Sequence, residues 1–131
     1  MFLWLSKLFK TPADKNEKTI LELFGFMIDD YGFSYTKNDL GNAVDKDGHF
    51  VFYGPLDSYH IYNDKLCINI LYLVQRQDYN IYITNAYSTN QVYLRNGTEV
   101  PSHLAYNLPL FASEVKTSIM NDGTVYGQKI Y

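Results

Sequence analysis

The sequence predicts an α+β fold: one antiparallel sheet of five to six strands, running as a meander, with an N-terminal and a C-terminal helix packed on one face. Three observations lead there. Ile20, Leu21, Phe24, Met27 and Ile28 recur at the three-and-four spacing of a helix face. Between His49 and Val100 the chain breaks into short apolar or alternating runs parted by turn residues. Helical spacing returns with Phe111, Val115 and Ile119. A length of 131 residues fits one domain, 1–131, in which residues 1–16 form an N-terminal segment and linker. With 47% hydrophobic and 19% charged residues, the chain can build a core without disulfides or metals.

Met1 to Leu5 is apolar, but it is followed by Lys7 and Lys10 and by no small-residue cleavage site, so it does not read as a signal peptide. It is also too short to span a bilayer. Phe2 to Phe9 reads as a short helix packed on the domain; contact with a membrane surface or a partner through Trp4, Lys7 and Lys10 is the other reading. Thr11 to Asn16, with Pro12, reads as a linker.

The first helix is expected from Glu17 to Asp30, with Gly32 as its stop. Phe33 to Thr36 reads as a short strand. Lys37 to Gly48 reads as a polar connection with turn signals at Asn38-Asp39, Gly41-Asn42 and Asp47-Gly48, the last closing a hairpin between Asn42–Asp45 and the strand His49 to Tyr53. Gly54-Pro55 is expected to end that strand and Tyr59 to Tyr62 to form another, followed by a tight turn at Asn63-Asp64. Leu66 to Gln75 is apolar on both faces and is placed centrally. Tyr79 to Thr84 alternates. Gln91–Arg95 and Thr98–Val100 flank Asn96-Gly97 as a hairpin. A helix from Leu108 to Met120 follows, with Pro109 in its first turn and Asp122-Gly123 as its stop; Thr124 to Tyr131 is a final strand or arm.

The chain offers little that is arranged for catalysis. Cys67 is the only cysteine; lying in the run Leu66-Cys67-Ile68, it reads as a small buried hydrophobe. Aligning Gly48 with the glycine of a calcium loop puts Ala43 and Gly54 at positions that need side-chain oxygens, so Asp45-Lys46-Asp47-Gly48 reads as a turn. His49 and His60 flank neighbouring strands and can approach Asp45 or Asp47, yet no H-x-H, H-x-x-H or H-E-x-x-H spacing links them with His103 or one another. No nucleophile elbow, phosphate loop or dinucleotide fingerprint is present, and Asn96-Gly97-Thr98 reads as a turn rather than a glycosylation site. No catalytic, cofactor or metal residue is therefore assigned.

Charge and aromatic content point to binding instead. A net charge of −3 argues against nucleic acid, which needs a dense Lys/Arg face. Asp29, Asp30, Asp39, Asp45, Asp47, Asp57 and Asp64 fall between the first helix and the central strand, where Lys37, Lys46 and Lys65 are the only positive charges. Tyr31, Tyr35, Tyr53, Tyr59 and Tyr62 lie in the same half. If the turns gather at one end of the sheet, Tyr35, Tyr53, Tyr59 and Tyr62 become aromatic anchors in an acidic rim suited to a basic protein. The plainer reading is that turns collect Asp and strands collect Tyr.

Tyr31-Gly32-Phe33, Leu40-Gly41-Asn42, the run Gly48 to Pro55 and the run Leu73 to Asp78 resemble small immunity proteins encoded beside bacterial polymorphic toxins, including those of contact-dependent growth inhibition. The resemblance covers about residues 17–122 in size, layout and Tyr/Asp richness, contains no diagnostic motif and transfers no individual residue. It implies a cytoplasmic protein that binds the C-terminal domain of a cognate toxin, often a nuclease with a basic cleft, and occludes its active site. Two other expectations stand beside it. A curved sheet under a helix can enclose an apolar pocket, as in a small-ligand protein or enzyme of a cone-shaped α+β type, where tyrosine hydroxyls and His49 or His60 serve chemistry; a deep pocket containing both histidine and aspartate would mark it. Alternatively, the chain is a structural or secretion subunit docking through Met1 to Phe9.

Overall fold

A computed structural model describes residues 15–44, 50–74, 76–87 and 98–131, with stretches 38–44 and 50–56 described by their backbone only. Helix α1 (Lys15–Tyr31) leads into strands β1 (Ser34–Val44), β2 (Phe50–Tyr62), β3 (Cys67–Leu73), β4 (Asp78–Thr84) and β5 (Thr98–Glu99). A short helix α2 (Ser102–Ala105), helix α3 (Leu108–Asp122) and a hairpin of β6 (Thr124–Val125) and β7 (Gln128–Lys129) complete the chain. The sheet is a five-stranded antiparallel meander in the order β1-β2-β3-β4-β5, with β3 in the middle as expected. Residues 1–14, 45–49 and 88–97, where the N-terminal segment, the Asp47-Gly48 turn and the strand Gln91–Arg95 were expected, lie outside the described residues.

Each helix buries the stripe that its spacing announced. Ile20, Phe24 and Met27 of α1 are buried, as are Phe111, Val115 and Ile119 of α3. The two helices meet through Phe24 and Phe111, whose ring centroids lie 5.7 Å apart. Both pack on one sheet face, formed by Tyr59 and Ile61 of β2, Ile68 and Ile70 of β3, and Ile81 and Ile83 of β4. Helix α1 starts two residues earlier than Glu17. It ends at Gly32 (φ 71°), beyond which the Phe33 N–H returns to the Met27 carbonyl at 3.1 Å. Asn107 caps α3 by accepting from the Leu110 N–H at 3.2 Å, and Gly123 closes it in the left-handed region. A Cβ on Gly123 would come within 2.7 Å of the Tyr131 hydroxyl.

Two expectations about the first half of the sheet are corrected. Lys37 to Gly41 is strand rather than connection: β1 runs without a break from Ser34 into the expected hairpin arm, which pairs through Ala43↔Val51 and Val44↔Phe50. As an edge strand it is paired on one side only and tolerates polar residues. Gly41, which signalled a turn, sits between two register shifts instead. Similarly, Gly54-Pro55 does not end a strand. β2 continues to Tyr62, and its pairing steps from Ala43↔Val51 to Gly41↔Leu56, leaving Pro55, which has no N–H to donate, out of the ladder. Helix α2 was not expected. The β6–β7 hairpin turns on Tyr126 (φ 50°) and Gly127 (φ 81°), both left-handed as a two-residue type I′ turn requires. For a tyrosine that conformation costs about 1–2 kcal/mol.

Candidate functional site

The sequence-predicted partner-binding residues divide between the two ends of the sheet. Asp29 and Asp30 are exposed on the last turn of α1, which leads through Gly32 and Phe33 to the pair Ser34↔Tyr62. Asp64, also exposed, occupies the turn after Tyr62. These three acids therefore share one end. Asp39 and Asp57 pair with each other five residues further along β1, about 17 Å away at strand rise. Tyr53 lies on β2 beyond them, where only the backbone is described, and Asp45 and Asp47 lie outside the described residues. A meander alternates its turns between the two ends, so the acids do not gather at one of them. Tyr59 is fully buried on the helix-covered face, beside Lys37, whose Nζ lies 5.7 Å from its ring centroid. Tyr35 turns inward and donates its hydroxyl to Glu17 Oε2 at 2.5 Å.

At the α1–Asp64 end, aromatic rings accompany the acids. Tyr62 stacks on Tyr87 with ring centroids 4.5 Å apart and an interplanar angle of 19°. Asn63 builds the turn by accepting from the Lys65 and Leu66 N–H groups at 2.8 and 3.0 Å. Its amide also donates to the Ile130 carbonyl at 2.7 Å. That bond brings Tyr131, 78% exposed, to the same end, with Lys65 also exposed there.

The sheet face turned away from the helices holds a buried polar network that sequence reasoning did not find. Register aligns Thr36, His60, Asn69 and Tyr82 in one row across four strands. The Asn69 amide nitrogen donates to Thr84 Oγ1 at 2.9 Å and the Tyr82 carbonyl at 3.1 Å, which fixes the orientation of the amide. Its oxygen then accepts from the Cys67 thiol at 3.1 Å and from His60 Nδ1, 2.8 Å away. His60 is thereby the Nδ1–H tautomer, and Nε2 accepts from the Ser58 hydroxyl at 2.9 Å. Burial holds the imidazole pKa below its ordinary value of 6.5, the Asn69 bond opposing this, and pushes the Cys67 thiol up to about 12.

Hydroxyl, imidazole and amide in this order match the arrangement of nucleophile, base and orienting group in acyl-transfer sites. Such a site needs a reachable hydroxyl, whereas Ser58, His60 and Asn69 are each 0% exposed. The arrangement binds β2, β3 and β4 together. The signal that could have found it was polar side chains at 58, 60 and 69 within otherwise apolar runs. No group of acids, cysteines and histidines able to hold a metal occurs among the described residues. His49, the expected neighbour of His60, lies outside them.

No protein-family model, curated protein sequence or solved structure matches the chain.

A cavity of about 300 Å³ opens between α2, α3 and the C-terminal hairpin, lined by Pro101, Leu104, Glu114, Val115, Ser118, Val125 and Tyr126. It lies off the sheet and contains neither histidine nor aspartate, unlike the pocket expected for the small-ligand reading. No helix among the described residues is long and apolar enough to cross a membrane.

Proposed function

We propose that this chain is a cytoplasmic immunity protein that binds the C-terminal domain of a cognate bacterial toxin, a nuclease, and covers its active site, with no catalysis of its own. The observation that supports this reading most is the α1–Asp64 end, where exposed Asp29, Asp30 and Asp64 share one end of the sheet with the Tyr62–Tyr87 stack and Tyr131. Carboxylates around aromatic rings suit a basic cleft. The acids draw the partner in at long range, and the rings supply apolar contact at little entropic cost. The partner-binding set narrows accordingly to Asp29, Asp30, Tyr62 and Asp64 from the predicted residues, joined by Tyr87 and Tyr131. Tyr35 and Tyr59 serve the interior instead.

The test is association kinetics with the toxin domain encoded by the neighbouring gene. Changing Asp29, Asp30 and Asp64 together to Asn is expected to lower the association rate about tenfold at low salt and to flatten its salt dependence, with dissociation little changed. An unchanged rate and salt slope would remove this end of the molecule from the interface.

A further inference from the structure

Tyr126 occupies a position where its own conformation is unfavourable. The first residue of a type I′ turn is best filled by Asn or Gly, yet here a tyrosine is held at φ 50° ahead of Gly127. Strain of this kind persists where the side chain has a task. The ring packs beside Phe111 with centroids 6.4 Å apart, remains 38% exposed and forms part of the wall of the cavity between α2, α3 and the hairpin.

The lining of that cavity is chemically one-sided. Leu104, Val115 and Val125 are buried at 5%, 2% and 1% exposure and give it an apolar floor. Ser118 already donates its hydroxyl hydrogen to the Thr124 carbonyl at 2.7 Å, so it presents only lone pairs to a visitor. Glu114 is exposed and forms no salt bridge among the described residues. Its charge, after burial, contributes to the upward shift of the Tyr126 hydroxyl, which places carboxylate and phenol in each other's field. Carboxylate, hydroxyl lone pairs and the π-face of a tyrosine all favour a positively charged donor.

We propose that this cavity binds a small amphipathic cation, a guanidinium or ammonium group on an aliphatic stem, with Glu114 and Tyr126 meeting the charge, Ser118 accepting a hydrogen bond, and Leu104, Val115 and Val125 receiving the stem. Its volume of about 300 Å³ suits so small a ligand. The ligand is either a free cation or the side chain of an arginine on another protein; the recognition chemistry is the same. The site is independent of the toxin-binding reading and stands if that reading falls.

The probe is n-butylguanidinium, titrated into the full chain while the methyl NMR signals of Leu104, Val115 and Val125 are followed. Saturable shifts are expected, with n-butylurea, the uncharged analogue of the same shape, binding at least tenfold more weakly. Glu114→Gln is expected to weaken the cation at least tenfold. Tyr126→Asn restores the residue the turn prefers, so Tm is expected to hold or rise while cation binding falls at least threefold. An acetylated Gly-Arg-Gly amide that binds as well as the probe assigns the site to a protein side chain, and its exclusion while the probe still binds assigns it to a free cation. Absence of saturable shifts, equal binding of n-butylurea, or undiminished binding by Glu114→Gln would overturn the site. A fall in Tm of Tyr126→Asn, or undiminished binding by it, would make Tyr126 a packing residue and overturn its assigned role.

Discussion

Both faces of the sheet carry fully buried side chains, but they are held there by different physics. On the helix-covered face, Tyr59, Ile61, Ile68, Ile70, Ile81 and Ile83 lie against the apolar stripes of α1 and α3. Their contribution follows area removed from water and has no preferred direction. On the other face, Ser58, His60 and Asn69 are just as completely buried. There each polar atom depends on a partner at hydrogen-bond distance, and an unmet donor or acceptor costs more than a met one returns. The apolar face can relax around a change in shape, whereas the polar face specifies one register and one tautomer. That contrast explains how a strand as apolar as β3 tolerates an asparagine at its centre: all the bonding capacity of the Asn69 amide is met by β2, β3 and β4.

The largest effect belongs to the apolar face. Phe111→Ala removes a fully buried ring that touches Phe24 and Tyr126 and is expected to cost about 3–5 kcal/mol in urea unfolding. Asn69→Ala deletes far fewer apolar contacts, yet it strands the buried His60 Nδ1–H and takes the acceptor from the Cys67 thiol, and is expected to cost about 2–3 kcal/mol. Imidazole nitrogen shifts should at the same time show loss of the Nδ1–H tautomer. If Asn69→Ala is neutral, or His60 keeps its tautomer, the two faces do not differ in the way described.

A smaller effect sharpens the comparison through pH. Burial holds His60 neutral in the folded chain, with its pKa below the 6.5 of the unfolded chain. Between those two values the unfolded state binds a proton that the folded state does not, so stability falls as pH drops through 6.5. The slope is up to about 1.4 kcal/mol per pH unit. It should flatten in His60→Gln between about pH 6.5 and 5, the window above the ordinary carboxylate range. An identical slope in that variant would mean that the buried imidazole does not govern the acid limb.

Much of the apolar face was legible in the sequence because burial leaves a period. The stripe of α1, the paired apolar faces of β3 and the alternation of Tyr79, Ile81 and Ile83 each announced their element. So did the ends marked by Gly32, Asn63-Asp64 and Gly123. The polar face was not legible, because its meaning lies in register. Ser58 and His60 come together with Asn69 and Thr84 only once three strands are aligned. The length of β1 was hidden for a related reason: an edge strand needs no apolar period, and Gly41 reads alike in a turn and in a bulge. Of the residues proposed to meet a partner, the sequence marked Asp29, Asp30, Tyr62 and Asp64 but not their separation from Asp39 and Asp57. That separation follows from a meander's turns alternating between the two ends.

The proposed immunity function is tested most directly by titrating this protein into the nuclease assay of the toxin domain proposed as its partner. The expected result is a linear loss of nuclease activity reaching completion at a fixed molar ratio, with a matching stoichiometry by calorimetry. Full nuclease activity in the presence of excess protein, with no heat of binding, would contradict it.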